Sequence, residues 1–337
     1  MKDLSVGLSK FLSEIWETDV SIRNLDRASA GARRHNLLFN AVTEIDDIPL
    51  VATIMPTPDI EDLPMDVEAS VLEFARQAGV PAPRLVGVTT NPKYVGGSMF
   101  VTHRVFGESI PRKILRLSES QTGLGDRIVR QCGEALAHLH KFPISRIDSR
   151  IERPKFDAPA QQAVDDLLED HSLLPQPSPT ITMALSWLSR NKPESPEALS
   201  LVHGDLRNGN IAVDDTGLVA IYDWEIAHLG DPMEDLAWLC VRAWRFRQDD
   251  KEVGGLGDRD TLFEGYHSAG GSIDLIRFRW WRLLRTVWWG IGLAKQAAEH
   301  LDGSFRSIIM AASGRRVAEL EYDILMLLSG EYSTIEF

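Results

Sequence analysis

A chain of 337 residues with a formal net charge of -13 and a pI near 5.2 is too long for one small core and fits two packed subdomains or one large α/β domain. Its 44% hydrophobic and 25% charged residues are those of an ordinary folded protein and exclude a disordered or fibrous chain. The acidic balance argues against a nucleic-acid partner, because binding a phosphate backbone calls for a basic stripe. No apolar stretch is long enough to span a bilayer, so no membrane association is expected. The opening MKDLSVGLSKFLSEIW carries acids and lacks the basic-then-apolar build of a secretion signal, which makes the expected location cytoplasmic. Cys132 and Cys240 stand far apart and read as buried core thiols.

In chain order, Leu4, Leu8, Phe11, Leu12 and Ile15 have helical spacing and predict an entry helix over residues 4–16. HNLLFNAV and IPLVATIM, separated by the acidic turn EIDD, read as a β-hairpin. Apolar residues at Val67, Val71, Leu72 and Ala75 predict a helix over residues 65–78, stopped by Gly79 and Pro81. SMFVTHRV is a further strand. From Ser118 onward the texture changes to helices: RIVRQCGEALAHLHKF, AVDDLLEDH and MALSWLSR. NIAVD and LVAIYDW then flank the turn Asp214-Asp215-Thr216-Gly217 as a tight hairpin. The remainder is helical, with IRFRWWRLLRTVWWGIGLAKQAAEHL the longest piece. The predicted class is α+β: a small sheet-rich N-terminal lobe over residues 1–105 and a larger helical lobe over residues 106–337, a kinase-like division.

The chemistry concentrates in LVHGDLRNGN, residues 201–210, and in the hairpin that ends at Asp223. Phosphoryl transfer needs a carboxylate beside the acceptor hydroxyl, and Mg²⁺ held against the β- and γ-phosphates by oxygen ligands. His-x-Asp-x-x-x-x-Asn with a second Asp one hairpin later supplies those groups at the spacing of protein-kinase-like enzymes. Asp205 would orient the hydroxyl and accept its proton, and Asn210 and Asp223 would hold the metal. His203 reads as a loop-packing residue, and His138, His140 and His228 as core or loop histidines. The bland reading is a polar turn with Asp205 and Asn210 as turn residues.

LVHGDLRNGN followed by IYDWEIAHLGDPMEDLAWL resembles the bacterial phosphotransferase family related to aminoglycoside phosphotransferases, in the branch similar to the kinase-like domain found with acyl-CoA dehydrogenases. GVPAPRLVG, MFVTHRVFGES, LAHLHKFP and GRRVAELEYDIL extend the resemblance over nearly the whole chain. It implies a two-lobed fold, ATP with Mg²⁺, and transfer of the γ-phosphoryl group to a hydroxyl of a small molecule. By position it makes Asp205 the catalytic Asp, Asn210 and Asp223 metal ligands, and Asp235 a brace for the catalytic loop. Arg207 sits where a cation would meet the transferring group, or pairs with a neighbouring acid.

The N-terminal lobe departs from the pattern. Residues 29–36, including Gly31, Ala32, Arg33 and Arg34, match the family's phosphate-covering loop with a single glycine. Glu68 supplies the expected helix acid, but the aligned strand position for its cation is Thr53, which donates a hydrogen bond and neutralises nothing. No Lys or Arg occurs from Asn40 to Ala75. Arg33 or Arg34 would then supply the charge from the covering loop. The rival reading is a kinase-like nucleotide-binding protein that is impaired, or that a partner subunit or homo-oligomer completes. Trp238, Trp244 and Phe246, with Trp280, Trp281, Trp288 and Trp289, read first as packing and second as an apolar acceptor pocket.

Overall fold

The computed structural model describes residues 2–28, 34–56 and 63–330. The chain opens with α1 (Lys2–Trp16) and a five-stranded antiparallel sheet: β1 (Ser21–Arg27), β2 (His35–Val42), β3 (Asp47–Met55), β4 (Leu85–Thr89) and β5 (Ser98–His103), in the order β1-β2-β3-β5-β4. Side chains alternate across a strand. Leu37, Phe39 and Ala41 of β2 and Leu50, Ala52 and Ile54 of β3 thus share one face, where they bury against Leu8, Phe11 and Leu12 of α1. Asn36, Leu38, Val51 and Thr53 fall on the opposite face and line a cavity. Helix α2 (Met65–Gln77) lies on that side, with Met65 and Ala69 packed against Met55 and Phe100.

Two strands were not legible beforehand. β1 is an exposed edge with little apolar content and a register shift between Arg23 and Asp26, so no alternation marks it. β4 contains Gly87, where a Cβ would stand 2.4 Å from Ile15 Cδ1.

The rest of the chain is a helical lobe: α3 (Pro111–Ser120), α4 (Leu124–Lys141), α5 (Pro159–Ser172) and α6 (Pro179–Arg190), then the short strands β6 (Ser200–Val202), β7 (Ile211–Asp214), β8 (Gly217–Ile221) and β9 (His228–Gly230). It continues through α7 (Met233–Leu239), α8 (Arg259–Ser268), α9 (Leu275–Asp302), α10 (Ile308–Ser313) and α11 (Val317–Ser329). β7 and β8 form the expected hairpin, and β6 pairs antiparallel with β9 through Leu201 and Leu229. Helix α9 starts on Asp274, whose carboxylate accepts the N–H groups of Ile276 and Arg277, an N-cap that satisfies donors left free at a helix start. Cys132 and Cys240 are buried free thiols, and burial pushes both up to about 12. Among the described residues no helix is long and apolar enough to cross a membrane.

Helices α4 and α8 meet through glycine. A Cβ at Gly133 would lie 2.3 Å from the Leu262 carbonyl oxygen, and one at Gly265 would lie 2.1 Å from that of Arg130. This approach matters because α4 delivers His140 to the catalytic loop. Gly265→Val is expected to destabilise the chain by about 1–3 kcal/mol through overpacking. Gly292→Ala in α9, where the nearest side-chain atom is 3.8 Å from the new Cβ, should stabilise it by up to about 1 kcal/mol. Urea unfolding of the two variants checks both signs.

Candidate active site

Strand β6 ends at Val202 and delivers the loop from His203 to Asn210 between the two lobes. Gly204 takes φ +81°, and a Cβ there would stand 2.8 Å from the Ile226 carbonyl oxygen, so both conformation and space call for glycine. The loop is held from beneath by Asp235, which is fully buried in α7. Its two oxygens accept the backbone N–H groups of His203 (2.8 Å) and Gly204 (2.9 Å), and His140 Nε2 stands 3.1 Å away. Burial alone would raise this carboxyl; the bonds from His140 and from the His203 backbone N–H outweigh it and hold its pKa below the ordinary value. The expected brace is thus present in geometry. His140 Nδ1 lies 3.0 Å from the Tyr266 hydroxyl, which fixes the imidazole from its other side.

Asp205 is fixed by three donors. Oδ1 accepts from Arg207 Nε at 3.0 Å and Trp238 Nε1 at 2.8 Å, and Oδ2 accepts from Asn210 Nδ2 at 2.7 Å. The same Asn210 amide nitrogen donates to the Asp205 carbonyl at 2.9 Å, which turns the amide oxygen away from Asp205. Asn208 is buried and bonds the Gly254 carbonyl at 2.8 Å. The Asp205 N–H donates to His203 Nδ1 (3.1 Å), so Nε2 carries the proton and donates to the Tyr222 carbonyl (2.9 Å). His203 is therefore a packing residue against Trp224, as expected, with both ring nitrogens engaged in hydrogen bonds.

Asp223 follows β8 in a left-handed conformation, φ +66°, which costs a non-glycine residue about 1–2 kcal/mol. Burial, and after it the neighbouring Asp205 carboxylate, raises its pKa. Asn210 and Asp223 line one cavity of about 450 Å³ with Arg34, Thr53 and Glu68. Among the described residues no three His, Cys, Asp or Glu side chains stand together to hold a metal ion. One carboxylate and one amide oxygen are nonetheless hard donors that suit Mg²⁺, which commonly takes only one or two protein ligands and completes its shell with phosphate oxygens and water.

The sheet side of the cavity differs from the simplest expectation. Thr53 faces it, but its hydroxyl donates to Asn36 Oδ1 at 2.9 Å, across the β2–β3 register that pairs the two residues. Arg34 Nη1 lies 2.7 Å from Glu68 Oε2, and Arg34 Nε lies 3.0 Å from Glu225 Oε2. Burial pushes the Glu68 carboxyl up to about 7 against the pull of Arg34. Gly31, Ala32 and Arg33 lie outside the described residues.

Sequence reasoning missed two supports. Trp238, read as packing or pocket wall, is also the donor to Asp205. Arg285 of α9 bonds the Gly204 carbonyl and Glu234 Oε1 and lies over the Trp238 and Trp288 rings. Its signal was a charged residue inside a Trp- and Leu-rich helix. His228 is a partnered loop histidine, as expected: Nε2 lies 3.3 Å from Glu234 Oε2 and Nδ1 lies 3.0 Å from the Ile226 carbonyl. Trp280 and Trp281 are buried core, as packing predicted, and Trp244 carries the Arg207 guanidinium 4.6 Å from its ring. Beyond Trp244 opens a cavity of about 850 Å³ lined by both charges: arginines such as Arg242 and Arg316 face the acids Glu119, Asp249, Glu319 and Asp323, with Arg242 paired to Asp249 and Asp323 and Arg316 to Glu319.

A sheet lobe over a helical lobe, with this loop between them, defines a kinase-like phosphotransferase architecture. The chain belongs to the phosphotransferase enzyme family, whose model matches residues 27–271. Among curated proteins it is 27% identical over 220 residues to Probable acyl-CoA dehydrogenase IBR3 of Arabidopsis thaliana, covering 61% of this chain and 25% of that one. It is 26% identical over 184 residues to acyl-CoA dehydrogenase family member 11 of Rattus norvegicus, covering 52% and 23%. The matches thus span about a quarter of those relatives' length. Among solved structures, one from Ralstonia eutropha JMP134, provisionally assigned as an aminoglycoside phosphotransferase, superposes with a TM-score of 0.74 at 18% identity over 94% of this chain and 97% of that one. The GDP complex of aminoglycoside 2'-phosphotransferase-IIIa gives 0.63 at 15% identity over 95% and 99%. These likenesses show the fold.

Two predictions follow from the geometry. Removing the brace with Asp235→Ala should cost about 3–5 kcal/mol, because two backbone donors and His140 lose a buried charged partner; an unchanged urea midpoint would contradict it. Burial lowers the His228 pKa, but Glu234 more than offsets this and raises it to about 9. Since the unfolded value is about 6.5, this stabilisation is complete below about pH 6.5 and is lost as pH rises toward 9. Melting temperature should fall across that interval, and His228→Gln should flatten the fall.

Proposed function

We propose that the chain transfers the γ-phosphoryl group of ATP, with Mg²⁺, to a hydroxyl of a small-molecule metabolite. The observation that carries this reading is the fixed Asp205 carboxylate bonded to Asn210, with Asn210 and Asp223 both lining the cavity between the lobes. Asp205 accepts a hydrogen bond from the acceptor hydroxyl and orients it in line with the γ-phosphorus. As the acceptor oxygen forms its bond to phosphorus, the bond from phosphorus to the β-γ bridging oxygen breaks, ADP leaves, and the hydroxyl proton passes to an Asp205 oxygen. Arg207, already bonded to that carboxylate, places a guanidinium beside the transferring group. Asn210 and Asp223 would hold Mg²⁺, whose chemistry when bound is to neutralise charge on the β- and γ-phosphate oxygens. In this reading residues 1–105 form the nucleotide-binding lobe and residues 106–337 carry the catalytic loop and the acceptor site.

Several of the structural neighbours were solved as nucleotide complexes, one with AMP-PNP and hygromycin B together, which supports a nucleotide and a small-molecule acceptor here. In this reading the acceptor sits in the cavity beside Trp244, because Arg207 links that ring directly to Asp205. Its lining mixes arginines with Glu119, Asp249, Glu319 and Asp323, which suits a polar, hydroxylated acceptor. The competing reading, a nucleotide binder without turnover, rests on Thr53 and its spent hydroxyl.

ADP release can be followed with a panel of hydroxy acids, sugar phosphates, sugars and amino alcohols. Turnover should appear with one class of hydroxylated member, and Asp205→Ala should lower kcat by about 10²–10⁴-fold, the usual contribution of a positioned general base. ATP binding without turnover on any acceptor would favour the competing reading.

A further inference from the structure

We propose that Arg34 is the cation that grips the α- and β-phosphates of the nucleotide, moved from the third strand to the residue that leads into β2. The proposal rests on the phosphotransferase reading and names how its nucleotide site is completed without a strand lysine. In kinase-like sites a cation on the third strand pairs with a helix acid and holds these phosphates. Here the helix acid is Glu68, and its partner at 2.7 Å is Arg34, whereas Thr53 at the strand position is bonded to Asn36.

Three further observations point the guanidinium at a ligand. Arg34 is nine-tenths buried, yet neither its Nε nor its Nη2 makes a hydrogen bond, although Nε stands near the Glu225 carboxylate. A buried, unpaired donor is unfavourable, and an arginine fork suits phosphate oxygens in particular. The side chain lines the same cavity as Asn210 and Asp223, so an anion on Nη2 would lie in one space with the metal-binding oxygens. Glu68 reaches Arg34 from the sheet lobe and Glu225 reaches it from the helical lobe, at 3.0 Å from Nε. The guanidinium is thus held from both walls of the cleft, Nη1 by its bond to Glu68 and Nε by the nearby Glu225 charge, while Nη2 keeps no hydrogen-bond partner. The other arginine lining this cavity, Arg104, is exposed and lies over the Phe106 ring.

The test is calorimetric titration of the full chain with ATP in Mg²⁺ and, separately, with adenosine. Arg34→Ala should weaken ATP by about tenfold or more and leave adenosine within about twofold, which locates the loss on the phosphates. Thr53→Lys added to that variant should restore ATP affinity, because the β2–β3 register keeps position 53 on the cavity face. Should Arg34→Ala fold poorly with Glu68 left unpaired, Arg34→Ala with Glu68→Ala removes the orphaned acid and should show the same selective loss. ATP affinity that survives Arg34→Ala, an equal loss of ATP and adenosine, no recovery with Thr53→Lys, or a selective loss in Arg104→Ala instead would each overturn this proposal alone. Absence of ATP binding by the unaltered chain would overturn the phosphotransferase reading, and this proposal with it.

Discussion

The buried Asp235 carboxylate is the constraint on which the site depends. It accepts two consecutive backbone N–H groups, from His203 and Gly204, and so sets the direction in which the chain leaves β6. A loop of this kind has no ladder of its own to satisfy its backbone, and a carboxylate underneath does that work at the point where the chain must turn. Everything above inherits the setting: Asp205 follows where Gly204 turns in the left-handed region, and Asn210 closes back on Asp205. The brace is itself built from distant parts of the chain. His140 comes from α4, Tyr266 from α8, and both helices approach closely enough only because Gly133 and Gly265 lack side chains.

Charge organises the site in two tiers. Asp205, Asp223, Glu68 and Glu225 gather in a chain that is acidic overall, an arrangement unfavourable for a triphosphate unless cations stand among them. Arg207 serves the first of these acids and Arg34 the last two. Arg285 and His228 meet on Glu234 below the loop, where they balance a buried acid and, through the Gly204 carbonyl, tie α9 to the catalytic turn. The tryptophans do similar double work. Trp238 packs among Trp244, Trp288 and Trp289 and gives its one N–H to Asp205, so the aromatic core and the Asp205 carboxylate share a residue.

Much of this was legible in the sequence because it is local. The β7–β8 hairpin announces itself by Asp-Asp-Thr-Gly between two apolar runs, and α9 reads as the longest helical piece of the chain. Residues 203–210 carry a spacing that chemistry requires. What was not legible depends on tertiary placement. β1 exists as an edge because β2 offers it hydrogen bonds. Trp238 becomes a hydrogen-bond donor, and Arg285 a loop anchor, only once α7 and α9 pack together. Neighbours in sequence left open which of Arg33 and Arg34 would turn inward; the structure brings Arg34 to Glu68 and Glu225, and Arg33 lies outside the described residues.

The central claim is that the loop from His203 to Asp223 is built to hold a nucleotide through a divalent ion. Calorimetric titration of the unaltered full chain with ATP, with and without Mg²⁺, tests it most directly. The account predicts one nucleotide per chain and an affinity about tenfold or more higher with Mg²⁺, because Asn210 and Asp223 offer oxygens to an ion and no positive charge to the phosphates. No binding in either condition, or binding to which Mg²⁺ makes no difference, would contradict it.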